Sequence, residues 1–253
     1  MFGIIDLASI PKDRYYLYRS QWNKKDATLH LLPHWTWPGR EGKVTPVVAY
    51  TSYPSAELFV NGKSMGRKTK ASATPLDYTK VAEKPYWERA SVQDIQAHND
   101  SLAMERYRLI WDDVVYQPGE LKVVAFDEAG NPAKELVVAT AGKAHHIVLT
   151  PNRTEISADG NALVYVTVQV ADKNGNIVPT DTRMVSFKVS GAAEFLATAN
   201  GDPTCLLSFD DPKMKLFSGA ATAILRAAST PGHATLTVTA PGVKSATISI
   251  DVK

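Results

Sequence analysis

Leu58-Phe59-Val60-Asn61-Gly62-Lys63-Ser64-Met65 decides how the chain folds. Two short runs flank Asn61-Gly62, and both central residues of a two-residue hairpin turn need φ > 0. Asn and Gly adopt that conformation at the least steric cost, so the stretch predicts a β-hairpin. Outward from it the pattern has period two or is short and apolar, as in strands. Residues 28–32, 44–51, 56–60, 106–111, 121–126 and 135–140 are strand candidates. Residues 71–101 are polar and poorly periodic and read as a long insertion, with a short helix over 92–98.

The later part repeats the plan. Residues 147–149, 162–171, 185–189, 220–226, 234–239 and 246–252 read as strands, with turn signals about every 8–12 residues, the spacing of a β-sandwich. Two turns echo one another: Asp127-Glu128-Ala129-Gly130-Asn131 and Asp172-Lys173-Asn174-Gly175-Asn176. Each sets Asp at the start and Gly where a left-handed residue is needed.

Composition divides the chain near residue 143. All five Trp (22, 35, 37, 87, 111) and nine of the ten Tyr precede it, and the rest is rich in Ala, Thr, Val and Ser. The small, polar stretch Thr140-Ala141-Gly142-Lys143 suits a linker. The expected organisation is residues 1–22, a first sandwich over 23–143 and a second over 144–253. Within the first 22, Pro11 is tolerated at a first helical position, and Asp13 complements the helix dipole. Tyr15, Tyr18 and Trp22 recur at i, i+3 and i+7, one face of a helix.

The 253 residues carry 28 Lys and Arg against 26 Asp and Glu, a net +2. That balance argues against nucleic acid as a partner. No apolar run approaches the roughly 20 residues that span a bilayer, so membrane insertion is not expected. The opening Met1-Phe2-Gly3-Ile4-Ile5-Asp6 lacks the pattern of a signal peptide. The single cysteine, Cys205, excludes an internal disulfide.

Candidate chemistry is sparse. Cys205 and His233 are not marked as a nucleophile–base pair, and a buried thiol is the simpler reading. Gly62-Lys63-Ser64 lacks the upstream Gly of a phosphate loop. His145-His146, if on a strand, point to opposite faces and share no metal. Asp202, Asp210 and Asp211 offer oxygen ligands for calcium only as loop acids, and no metal or cofactor is expected. Glycoside hydrolysis needs two carboxylates facing across a sugar; Asp112-Asp113 is the conspicuous acidic pair of the first part, and a turn explains it. His34-Trp35-Thr36-Trp37-Pro38 is the aromatic cluster to watch. Its rings either pack between helix and sandwich or present a surface for a sugar or a neighbouring domain, with His34, Trp35 and Trp37 as the candidates.

Several segments together carry a resemblance. Gly3-Ile4-Ile5-Asp6, Pro11-Lys12-Asp13-Arg14-Tyr15-Tyr16-Leu17-Tyr18 and Gln21-Trp22 resemble the end of the catalytic (β/α)8 barrel of glycoside hydrolase family 2. His30-Leu31-Leu32-Pro33-His34-Trp35-Thr36-Trp37 resembles the junction that follows in bacterial β-galactosidases of that family. Residues 57–66, 118–125 and 140–143 resemble their next domain. Asp159-Gly160, Asp172-Lys173-Asn174-Gly175 and Asn200-Gly201-Asp202-Pro203-Thr204 resemble the C-terminal immunoglobulin-like domain.

The resemblance implies an all-β chain. Two tandem immunoglobulin-like β-sandwiches would follow a short helix left from the barrel, with Tyr15, Tyr18 and Trp22 facing that barrel. The two catalytic Glu residues of the family lie in the barrel, and no residue here matches their motifs, so no catalytic residue is carried over. The implied role is an accessory, non-catalytic one in an enzyme that hydrolyses terminal β-galactosides with retention, exported to the periplasm or secreted. The expected partner is the catalytic barrel; carbohydrate and a second copy of the chain stay open. Two other readings stand beside it. One is a carbohydrate-binding module using Trp35, Trp37 and Trp87. The other is a cell-surface adhesin built of immunoglobulin-like domains.

Overall fold

The computed structural model describes residues 3–72, 74–85 and 91–253. They form two compact units: Asp13–Val138, and Ala139–Lys253 together with the N-terminal segment ending at Lys12. The first 22 residues are therefore divided between the two units.

The first unit opens with helix α1 (Asp13–Trp22). Strands β1 (Leu29–Leu32), β2 (Val47–Thr51), β3 (Ser55–Val60) and β4 (Lys63–Thr69) follow. Helices α2 (Tyr78–Ala82) and α3 (Val92–Tyr107) come next, then β5 (Leu109–Trp111), β6 (Glu120–Phe126) and β7 (Pro132–Ala139). One sheet runs β1-β2-β5 and the other β4-β3-β6-β7. Leu31, Val47, Ala49, Leu109 and Trp111 of the first meet Ala56, Leu58, Val60, Leu121 and Val123 of the second in one core. Strand β6 shows why: every second residue is buried, so the strand turns one apolar face inward.

The Asn61-Gly62 hairpin forms as expected, with φ of 50° and 80° and Val60 paired to Lys63. The Asn61 side chain does more than turn the chain. Its Oδ1 accepts from the Glu120 backbone N–H at 2.7 Å, and its Nδ2 donates to the Pro118 carbonyl at 3.2 Å. The turn is thereby tied to the start of β6.

The insertion differs from expectation. α3 has 16 residues rather than the short stretch 92–98, and it runs through residues 106 and 107 that read as strand. Ser91 caps it by accepting from the Asp94 N–H. Pro11, expected at a first helical position, bridges to Ile5 instead, two residues before α1 begins.

The second unit holds β8 (His146–Pro151), β9 (Glu155–Ile156), β10 (Leu163–Ala171), β11 (Met184–Gly191), β12 (Ala193–Ala199), β13 (Lys213–Lys215), β14 (Ala220–Ala227), β15 (Gly232–Thr239) and β16 (Ala246–Val252). A sheet β12-β14-β10-β8 faces a sheet β13-β11-β15-β16-β9. Val164, Val166 and Val168 of the former meet Val185, Leu236 and Ile250 of the latter. The registered pairs within both sheets are antiparallel apart from the β9–β16 pairing. Residues before α1 belong to this unit: the Thr222 hydroxyl donates to the Ala8 carbonyl at 2.7 Å, and Ala8 is buried.

The two echoing turns share one hydrogen-bond pattern. Asp127 N–H donates to the Asn131 carbonyl and Gly130 N–H to the Asp127 carbonyl, as Asp172 does with Asn176 and Gly175 with Asp172. In each, the Asp carboxylate accepts from the Asn backbone N–H four residues on.

Candidate functional site

The aromatic cluster divides on inspection. Trp35 is wholly buried in the first core. Its indole N–H donates to the Gln117 carbonyl at 3.0 Å, and its ring meets Tyr116 edge-on. A ring with no accessible face cannot stack on a sugar, so Trp35 serves the core. Trp37 is half-buried. Its backbone N–H donates to the Tyr116 hydroxyl, its indole N–H donates to the His34 carbonyl at 2.7 Å, and its ring stacks on His34 at 4.2 Å. Trp87 lies outside the described residues. Of the three Trp that a carbohydrate-module reading uses, Trp37 alone is described with exposed ring surface.

Around His34 the fold adds residues that the sequence did not single out. Tyr16 of α1 stacks flat on His30 of β1, centroids 3.9 Å apart. His30 Nε2 lies 2.8 Å from Asp13 Oδ1, so the first residue of the helix ties it to the strand. Burial lowers the His34 pKa, against an opposing pull from Asp13. Burial raises the Tyr16 pKa, with Tyr15 and Asp13 adding to it. The result is a surface of two imidazoles, a phenol and an indole, groups suited to stacking and to hydrogen bonds.

α1 docks through Tyr16, Arg19 and Ser20. Arg19 donates to the Thr28 hydroxyl at 2.7 Å, and Ser20 is buried. Of the series Tyr15, Tyr18 and Trp22, the two tyrosines are half-buried and Trp22 is exposed. Tyr18 and Trp22 stack on each other at 4.7 Å, and Trp22 stays 72% exposed.

The remaining candidates are scattered. Asp112 and Asp113 are both exposed in the turn after β5. Asp202 accepts from the hydroxyl and backbone N–H of Thr204, which lower its pKa. Asp210 accepts from the Ser208 hydroxyl. Among the described residues no three His, Cys, Asp or Glu groups gather to hold a metal. Cys205 is half-buried, with its sulfur 3.6 Å from Asn200 Nδ2 and 3.9 Å from the Met214 sulfur. His233 pairs with Asp251 at 2.7 Å. His145 and His146 correct the expectation of opposite faces: their Nδ1 atoms are 3.1 Å apart, because β8 begins at His146 and His145 precedes it.

Two family models match the chain. The glycoside hydrolase family 2 C-terminal domain 5 covers residues 147–249, and a domain of unknown function, DUF4982, covers residues 42–134. The second sandwich thus belongs to glycoside hydrolase family 2 as one of its C-terminal domains. Relatives extend the match to the whole chain. A β-galactosidase of Bacteroides ovatus is 38% identical over all 253 residues, and a putative β-glucuronidase of Formosa agariphila is 25% identical over 242. The chain spans 25% and 20% of their lengths. Among solved structures, a β-glycosidase from Bacteroides vulgatus matches with TM-score 0.80 and 31% identity. The match covers 99% of this chain and 28% of that one. A family 2 glycosyl hydrolase from Bacteroides cellulosilyticus matches with TM-score 0.75 and 25% identity, over 98% of this chain and 32% of that one.

Proposed function

We propose that the chain is an accessory part of a family 2 glycoside hydrolase acting on terminal β-galactosides. In this reading it supports the catalytic barrel and hydrolyses nothing alone. One observation carries the reading: the alignment covers all 253 residues of this chain yet occupies a quarter of the B. ovatus enzyme. Chemistry points the same way. Retaining hydrolysis needs two carboxylates about 5–5.5 Å apart around a sugar-sized site, and the conspicuous acidic pair here lies exposed in a turn.

The exposed Trp22, stacked on the half-buried Tyr18, supports a barrel as partner. An exposed indole stacked on a phenol is the kind of surface that interfaces bury. Export to the periplasm or beyond belongs to the same proposal.

A chimera tests it. The matching quarter of the B. ovatus enzyme is replaced by this chain, and nitrophenyl β-galactoside hydrolysis is compared with that of the enzyme lacking the quarter. Restored activity is expected; a chimera no better than the truncated enzyme contradicts the supporting role.

A further inference from the structure

The second unit carries a cleft of about 830 Å³ at one end of its sandwich. Its floor is set by backbone hydrogen bonds. The His145 N–H donates to the Ala171 carbonyl at 2.8 Å, and the Lys244 N–H donates to the His145 carbonyl at 2.9 Å. This clamps His145 between the end of β10 and the segment leading into β16. Lys143, Lys173 and Lys244 are thereby brought to the rim of the same cleft.

All three lysines are exposed, and none makes an ion pair among the described residues. The carboxylate that lines the cleft, Asp172, is already engaged. It accepts from the backbone N–H groups of Gly142, Asn174 and Asn176 and from the Asn176 side chain. Three ammonium groups therefore stand against one saturated carboxylate. Desolvation first, then Lys244, His146 and Lys173, lower the pKa of His145 against the pull of Asp172.

We propose that this cleft binds an acidic saccharide, a sugar ring bearing a carboxylate or a sulfate ester. The anion would lie among Lys143, Lys173 and Lys244, and the neutral ring against Asn174 and the half-buried His145. The volume falls in the range of small-molecule sites. The anionic part of the proposal stands on the lysines; the saccharide part rests on the family reading above. Exposed ammonium groups contribute weakly one by one, so affinity in the millimolar range and strong salt dependence are expected.

The experiment is a titration of the intact chain, followed by amide chemical shifts. The probes are a glucuronate-terminated disaccharide, a sulfated disaccharide, the neutral disaccharide of the same linkage, and inorganic sulfate. Shifts at 142–145, 172–174 and 242–244 with either acidic sugar support the site, and the two acidic arms tell carboxylate from sulfate. Binding should weaken about tenfold between low and physiological salt. It should be lost in the Lys143→Gln/Lys173→Gln/Lys244→Gln variant and reduced in Lys173→Gln alone, both with unchanged circular dichroism. Equal binding of the neutral sugar, equal binding of inorganic sulfate, or no shift with any probe overturns it. A working chimera with no acidic-sugar binding rejects the cleft alone. Acidic-sugar binding with a dead chimera rejects the accessory role alone.

Discussion

The Tyr16 ring lies face to face on the His30 imidazole, centroids 3.9 Å apart and planes 9° from parallel. That contact, with the 2.8 Å Asp13–His30 pair beside it, fastens α1 to β1. Tyr16→Ala removes a half-buried ring and is expected to destabilise the first unit by about 1–3 kcal/mol. Trp22→Ala removes a ring that is 72% exposed and should cost less than about 0.5 kcal/mol. Urea unfolding followed by tryptophan fluorescence separates the two, since all five Trp precede residue 143. Equal losses would mean that Trp22 carries as much of the docking as Tyr16.

Gly119 holds the Asn61 tie in place. Its φ is +133°, and a Cβ there would sit 2.0 Å from Asn61 Oδ1. Gly119→Ala must expel the Asn61 side chain, leaving the Glu120 N–H and Pro118 carbonyl without that partner. A loss of about 2–4 kcal/mol is expected from backbone strain plus the broken hydrogen bonds. The same fluorescence-detected unfolding measures it.

What could be read from the residues alone follows the range over which each signal acts. Asp172 and Asp127 were legible because Asp, Gly and Asn fix a turn within five residues, and both turns close with the same hydrogen bonds. The docked face of α1 was not legible. Tyr16, Arg19 and Ser20 are mixed in polarity, whereas Tyr15, Tyr18 and Trp22 form the more apolar series at helical spacing. α3 was underestimated because only Ile95 and Leu102 are buried along its 16 residues, too sparse an apolar stripe to show a helical period. Its Ser91 cap, with Asp94 three residues on, was the signal to use. β12 was missed because Ala193-Glu194-Phe195-Leu196-Ala197 is poor in β-branched residues. Trp35 and Trp37 could not be told apart, since 33–38 has no regular period and only tertiary packing sends one ring inward.

Asp172 makes the second unit acid-sensitive. Burial alone would raise its pKa, but hydrogen bonds from Gly142, Asn176 and Asn174 outweigh it and hold the group at about 2, below the usual carboxylate range. The folded pKa is depressed, so its contribution is complete above about pH 4 and is lost as pH falls towards 2. Unfolding followed by circular dichroism from pH 5 to 2 should show this loss, and Asp172→Asn should flatten it over that window.

Lys70 gives the first unit a dependence of the same sign at alkaline pH. Desolvation lowers its pKa to about 8, against the pull of Glu128, while its ammonium donates to the Thr51 carbonyl at 2.5 Å. The folded pKa lies below the unfolded one, so the unfolded chain holds the proton more tightly between about pH 8 and 10. Stability therefore rises with pH across that interval. The urea midpoint should climb from pH 8 to 10, and Lys70→Met should reduce the climb.

The most direct test of the account is hydrolysis by the purified chain of nitrophenyl β-galactoside, with nitrophenyl β-glucuronide in parallel. The account predicts nitrophenol release at the rate of buffer with either substrate. Turnover well above buffer that survives repeated purification would contradict it, because it would require a catalytic carboxylate pair within these 253 residues.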